Sequence, residues 1–162
     1  MSDGALTALH VFRFHVDFHA DPARAENRTP MCSGAFAECT GLEATMEAKV
    51  IKEGGRNDTA IQRCGPVTFA TVVLKRGMTE TRDLYRWFEL VTGGKYSYRL
   101  SATINMYDAA GVAKVAWRLD RALPIKFKAA DLNAKGTEVG IEELHLAHEG
   151  LRLTPPSRPS LA

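Results

Sequence analysis

The sequence predicts a mainly β protein, with two packed antiparallel sheets forming a sandwich or partly closed barrel and one flanking α-helix. Three observations carry that expectation. Several segments alternate polar and apolar residues with period two. One segment alone has an apolar stripe at helical spacing. Glycine- and proline-rich turns separate these segments. The 162 residues suffice for one domain around one core, which we expect to span 1–153. Residues 154–162 contain three prolines and read as a disordered tail.

In residues 9–19, Phe12, Phe14, Val16 and Phe18 share one face, and Arg13, His15, Asp17 and His19 share the other. That is a half-buried strand. Residues 20–33, with two prolines and mixed charge, read as a long loop. Residues 35–52 read as a long strand broken near Gly41. There Leu42, Ala44, Met46, Ala48 and Val50 alternate with Glu43, Thr45, Glu47, Lys49 and Ile51. The turn signal Glu53-Gly54-Gly55-Arg56-Asn57-Asp58 follows. Residues 59–66 show low periodicity and read as a loop. Residues 67–75 are apolar on both faces, as in a strand covered on two sides.

A helix is expected over 80–92, with Thr79 as N-cap and Glu80 and Asp83 near its positive end. Leu84, Trp87, Phe88 and Val91 form its core stripe, and Gly93-Gly94 stops it. Residues 96–107 read as a long strand, 108–111 as a hairpin turn and 112–119 as the return strand. Pro124 is expected to interrupt, leaving 125–127 as a short edge piece and 129–135 as a loop. The last strand is placed at 137–148. Its apolar parity changes from Val139 and Ile141 to Leu144 and Leu146, which predicts a β-bulge near Glu142-Glu143.

Lys plus Arg total 21 and Asp plus Glu 19, a formal net charge of +2. A dedicated nucleic-acid binder would show a basic excess, so that class is disfavoured. Charge does not oppose self-association either. No apolar run reaches the roughly 18–20 residues of a membrane helix. Met1-Ser2-Asp3-Gly4 lacks the basic start of a signal peptide, so synthesis in the cytoplasm without a Sec-type signal is expected. Cys32, Cys39 and Cys64 are too few for a disulfide scaffold and read as reduced thiols.

Motifs that carry chemistry are absent. His15, Asp17 and His19 share a strand face but come from one element, so a solvated polar face is preferred over a metal site. His145 and His148 fall on opposite strand faces. Gly54-Gly55 lacks the Lys-Ser/Thr of a phosphate loop, and Cys64 has no adjacent base. Glu43, Glu47 and Asp58 read as solvated charges rather than an acid–base pair. Lys95-Tyr96-Ser97-Tyr98-Arg99 could stack bases, but strand tyrosines more often pack a core or an interface. No catalytic residue, cofactor or metal is expected.

Several blocks, in order, resemble one family. Phe36-Ala37-Glu38-Cys39-Thr40-Gly41-Leu42-Glu43 resembles a segment of the tail-tube proteins of contractile phages and related injection machines. Ile51-Lys52-Glu53-Gly54-Gly55-Arg56-Asn57-Asp58 and Leu74-Lys75-Arg76-Gly77-Met78-Thr79 resemble the next two blocks. Trp117-Arg118, Pro124, Asp131-Leu132-Asn133 and residues 142–151 follow in family order, so the resemblance covers about 12–151. The ending from His145 to Leu151 is most similar to injection-system members, and the long 20–33 loop departs from the pattern.

The resemblance implies hexameric rings stacked into a hollow inner tube, closed by sheet continuation between subunits and driven through a target envelope by a contracting sheath. Implied partners are further copies of the chain, the sheath, a baseplate hub or tube initiator, a cap or terminator, and cargo in the lumen. The subunit itself performs no chemistry. By block matching, Glu53, Gly54, Gly55, Arg56, Asn57 and Asp58 are candidates for contacts between subunits or rings. Two polar strand faces are candidates for the lumen: Glu43, Thr45, Glu47 and Lys49, and Ser97, Arg99, Ser101, Thr103 and Asn105. The alternatives are a monomeric β-barrel that binds a small ligand and a metal-dependent enzyme using the histidines.

Overall fold

The computed structural model describes residues 13–20, 34–52, 54–55, 60–94 and 98–156. In chain order the strands are β1 (Arg13–Ala20), β2 (Gly34–Ala35), β3 (Glu38–Thr40), β4 (Ala44–Ile51), β5 (Ile61–Phe69) and β6 (Val72–Gly77). After α1 (Asp83–Thr92) come β7 (Leu100–Tyr107), β8 (Ala113–Lys128), β9 (Ile141–Ala147) and β10 (Gly150–Thr154). Among the described residues the fold is mainly β, antiparallel and flanked by one helix, as the sequence predicts.

An eight-stranded sheet runs β2-β1-β7-β8-β9-β6-β3, with β10 also paired to β8. The 16-residue β8 belongs to two layers. Its first half pairs with β7 and β10, and its second half with β9. β2 and β3 are close in the chain yet stand at opposite ends of the strand order, which gives the partly closed barrel. Val16 and Phe18 of β1 and Leu100, Ala102 and Ile104 of β7 share one core with Val72 and Leu74 of β6 and Leu144 and Leu146 of β9.

The helix packs into this core by Leu84, Trp87 and Val91, whereas Phe88 is half-buried. Trp87 meets Phe18 edge-on with ring centroids 5.3 Å apart, a geometry worth about 0.5–1.5 kcal/mol beyond area burial. The helix begins at Asp83 rather than 80, and its N-cap is Arg82 in a left-handed conformation, not Thr79. A buried arginine, Arg76, accounts for the difference, because it binds both the Asp83 carboxylate and the Thr79 hydroxyl. At the other end Gly94, with φ of 112°, takes the left-handed turn out of the helix.

Four other expectations change. Residues 61–66 are strand, the first part of β5. Its periodicity is lost because Gly65-Pro66 sits where the β4–β5 register shifts, and among the described residues β5 pairs with β4 alone. A proline on such an edge loses no ladder bond. The 67–75 strand is two strands bent at Ala70-Thr71, and Val67 is half exposed rather than covered on two sides. Pro124 does not interrupt β8. The strand bends at Arg121, with φ of 50°, and at a register shift beside Pro124, then continues to Lys128.

Near Glu142-Glu143 there is no bulge. The β6–β9 register is regular, and Glu142 takes the same inward parity as Leu144 and Leu146. The expected last strand is therefore β9 alone, followed by a separate β10. The 20–33 loop, apart from Ala20, and residues 157–162 of the tail lie outside the described residues.

Candidate functional site

The β4–β5 hairpin is the most distinctive surface. It prolongs the β3–β6 ladder: Thr40 pairs with Val73, and the Ala70 N–H donates to the Glu43 carbonyl at 3.1 Å. Gly41 makes the step between the two ladders possible. Its φ is 86°, and a Cβ there would stand 2.0 Å from the Thr71 carbonyl oxygen. Gly65 plays a similar part inside the ribbon, where a Cβ would stand 2.1 Å from the Glu47 carbonyl oxygen. Almost every hairpin residue is exposed, including the apolar Met46, Val50, Ile61 and Val67. Among the described residues neither outer edge of the hairpin has a strand partner.

Gly54 and Gly55 form the hairpin turn and are exposed, and Gly55 has φ of 105°. Glu53, Arg56, Asn57 and Asp58 lie outside the described residues. Glu43, Thr45, Glu47 and Lys49 are all exposed on or beside β4.

The second surface is the outer face of β1, β7, β8 and β10. Register places Asp17, Thr103, Arg118 and Arg152 in one row across the four strands, and His15, Asn105, Ala116 and Thr154 in the next. The second set of lumen candidates falls here, but unevenly. Thr103 is half-buried, Ser101 is 8% exposed and Asn105 is fully buried, donating to Asp17 Oδ2 at 3.1 Å. Asn105 therefore braces the face rather than presenting itself. Ser97 lies outside the described residues.

Beside this face two carboxylates each hold two arginines. Glu149 contacts Arg99 at 2.9 Å and Arg121 at 2.8 Å, and Asp120 contacts Arg118 at 3.3 Å and Arg152 at 2.7 Å. The backbone joins the two groups, since the Glu149 N–H donates to the Asp120 carbonyl. Sequence reasoning missed this cluster because its members come from β8, β10 and the approach to β7. The only local signal was Arg118 and Asp120 two apart on one strand face.

A third group is interior. Arg76 donates from Nε to Glu142 at 2.6 Å and binds Asp83 through its other nitrogens, with the Phe36 ring 5.6 Å away. Burial alone would lower the Arg76 pKa. Hydrogen bonds and the charges of Asp83 and Glu142 outweigh it and raise the pKa. A cleft of about 450 Å³ opens beside the group, lined by Gly34, Ala35, Gly77, Thr79 and Thr81. Its cation is already bonded to two carboxylates, so the cleft offers no spare charge to an anion.

Metal chemistry finds no support in this geometry. Among the described residues no three His, Cys, Asp or Glu side chains converge. His15 contacts Asp17 at 3.1 Å, and His145 contacts Glu143 at 2.5 Å and holds that carboxyl below its ordinary pKa. Cys39 is half-buried, and desolvation pushes its thiol up to about 11, too high for a nucleophile at neutral pH. Among the described residues no helix is long and apolar enough to cross a membrane.

The antiparallel barrel has a filled core and carries a hairpin whose edges are unpaired among the described residues, an arrangement suited to contact with further copies. The family match makes this specific: residues 10–152 match the T4-like virus tail tube protein gp19 family, and the chain belongs to it. It is a structural tube subunit and not an enzyme. Solved structures agree. A chain in the cryo-EM structure of the anti-feeding prophage baseplate, 6-fold symmetrised, is similar at 26% identity with a TM-score of 0.78, covering 91% of this chain and 96% of that one. A chain of the sheath–tube complex of an extracellular contractile injection system, PVC, in its extended state has the same fold at 17% identity and TM-score 0.73, with 93% of each chain covered. A chain of the anti-feeding prophage tube-terminating cap shares the fold at 16% identity and TM-score 0.74, covering 95% and 99%. Among curated protein sequences none matches the chain.

Proposed function

We propose that six copies close into a ring, that rings stack into the inner tube of a contractile injection particle, and that a surrounding sheath drives this tube through a target envelope. The carrying observation is the β4–β5 hairpin, with apolar residues on its surface and edges that are unpaired among the described residues. Such a ribbon is an aggregation hazard on a monomer. Pairing with a neighbouring copy removes the hazard and links subunits in one step. The six-fold baseplate, the sheath–tube complex and the cap named above support the ring order and the partners: sheath, baseplate hub or initiator, and terminator.

The likeness to the anti-feeding prophage chain favours an injection particle over a phage tail. The outer face of β1, β7, β8 and β10 is our choice for the lumen. It is polar, through Asp17, Thr103 and Arg118, and its four strands suit continuation from copy to copy. A polar wall lets cargo slide without sticking. Glu53 to Asp58, around the hairpin turn, then reach a neighbouring subunit or ring. Replacing Gly54 and Gly55 together by valine tests the reading. Light scattering should show monomers that keep the native circular dichroism but no longer assemble. Unimpaired assembly would remove the turn from the interface.

A further inference from the structure

The β4–β5 hairpin has two unlike faces. Residues paired across it share a face, so Ala44 with Phe69, Met46 with Val67 and Ala48 with Cys64 build one side. That side stays apolar along β4 as far as Val50, and Met46, Val50 and Val67 are each at least half exposed. The other side carries Thr45, Glu47, Lys49, Arg63 and Thr68. A two-stranded ribbon with one apolar face is marginal in water until that face is covered. Its own subunit leaves it exposed.

A second bare apolar surface lies on the main sheet, on the reverse of the side that carries Arg118 and Arg152. Register aligns Val16, Ile104, Trp117 and Leu153 in one row across β1, β7, β8 and β10. Exposure along that row climbs from 0% and 2% at Val16 and Ile104, through half-buried Trp117, to 66% at Leu153. The core is thus closed over β1 and β7 and open at the β10 end of the same face. In the neighbouring row Phe14, Met106 and Val115 are only half-buried. One apolar layer would close that end, and a two-stranded ribbon is one layer thick.

We infer that the apolar face of a second copy's hairpin seats over Trp117 and Leu153 and completes the sandwich at the β10 end. This deepens the tube reading and rests on it. Both surfaces belong to one chain and differ from each other, so the contact is heterologous, the kind that closes rings or propagates stacks. It leaves the side bearing Asp17, Thr103 and Arg118 to the lumen, and it turns Glu47 and Lys49 away from the seat.

Leu153→Asp should lower assembly of the purified full chain about tenfold or more, by sedimentation and electron microscopy, because a buried leucine contributes at least that much. Leu153 is mostly exposed in the subunit, so its circular dichroism should stay native. Met46→Asp with Val67→Asp should do the same from the hairpin side. Cross-linking checks the direction. In a Cys32→Ser, Cys64→Ser background, Met46→Cys and Leu153→Cys are made as separate preparations and mixed under assembly conditions. A short bismaleimide should join the two variants to each other several-fold more than either to itself. Should Leu153→Asp unfold the chain, the cross-link decides. Tubes that form normally with Leu153→Asp, or that give no mixed product, overturn the seating while the tube reading stands. So do self-products as abundant as mixed ones, because they mark a symmetric contact. If the unaltered chain forms neither rings nor tubes, the tube reading fails first and the seating with it.

Discussion

Arg76 and Glu142 face one another across the β6–β9 ladder, with Nε and Oε1 2.6 Å apart and both side chains almost wholly buried. Asp83, the first residue of α1, completes the group from the helix side. Two strands and the helix are thus tied at one interior point. Removing the cation would strand two carboxylates, at a cost of about 3–5 kcal/mol. Arg76→Met should lower the chemical denaturation midpoint accordingly. Changing all three residues to apolar ones of similar volume should recover most of the loss. A loss below about 1 kcal/mol in the single variant would contradict the clamp.

Gly41 sets where the hairpin leaves the body. Gly41→Val faces both a positive φ and the Thr71 carbonyl oxygen, 2.0 Å from the new Cβ. The clash falls on the backbone at Thr71 and Val72, away from the Trp87–Phe18 ring pair, so we expect native-like near-ultraviolet dichroism together with loss of assembly. Assembly at the unaltered rate would show that the step between the ladders is dispensable.

Cys64 on β5 is exposed in the single subunit, while Cys39 is half-buried with a raised pKa. In a Cys32→Ser background at pH 8, iodoacetamide should modify Cys64 rapidly and Cys39 hardly at all. Assembly should then protect Cys64 by more than tenfold. Equal labelling of free and assembled protein would place β5 outside the interface.

Asp108 holds the β7–β8 turn. Its Oδ1 accepts the backbone N–H groups of Val112 and Ala110, both at 2.9 Å. The Val112 bond leads in lowering its pKa below the ordinary 3.8, against desolvation, with help from Lys114. A depressed carboxyl pKa contributes stability above the unfolded value, and that stability is lost as pH falls through the folded one. Amide exchange at Ala110 and Val112, corrected for intrinsic rates, should therefore speed up below about pH 4. In Asp108→Ala it should be fast at every pH. Protection that does not change with acid would exclude the carboxylate from the turn.

Local chemistry was legible where it alone decided the outcome. The alternation of Phe14, Val16 and Phe18, the Leu84/Trp87/Val91 stripe, the Gly41 break and the Asp108–Gly111 turn all read directly from spacing. The errors came from partners distant in sequence. Arg76 moved the helix start from 80 to Asp83, and it also let Glu142 occupy an inward position that looked like a parity slip. Pro124 reads as a break and residues 59–66 as a loop because a single sequence does not show which strand positions sit at register shifts. The arginine cluster was invisible for the same reason, with Arg99 and Glu149 fifty positions apart. The family resemblance, by contrast, was carried by contiguous blocks.

The most direct test of a tube subunit is cryo-electron microscopy of the purified full chain at high concentration. Six-fold rings stacked into a hollow tube, with density of one copy's β4–β5 hairpin against a neighbour, are the predicted result. A strictly monomeric species across the whole concentration range, with the hairpin folded and unpartnered, would contradict it.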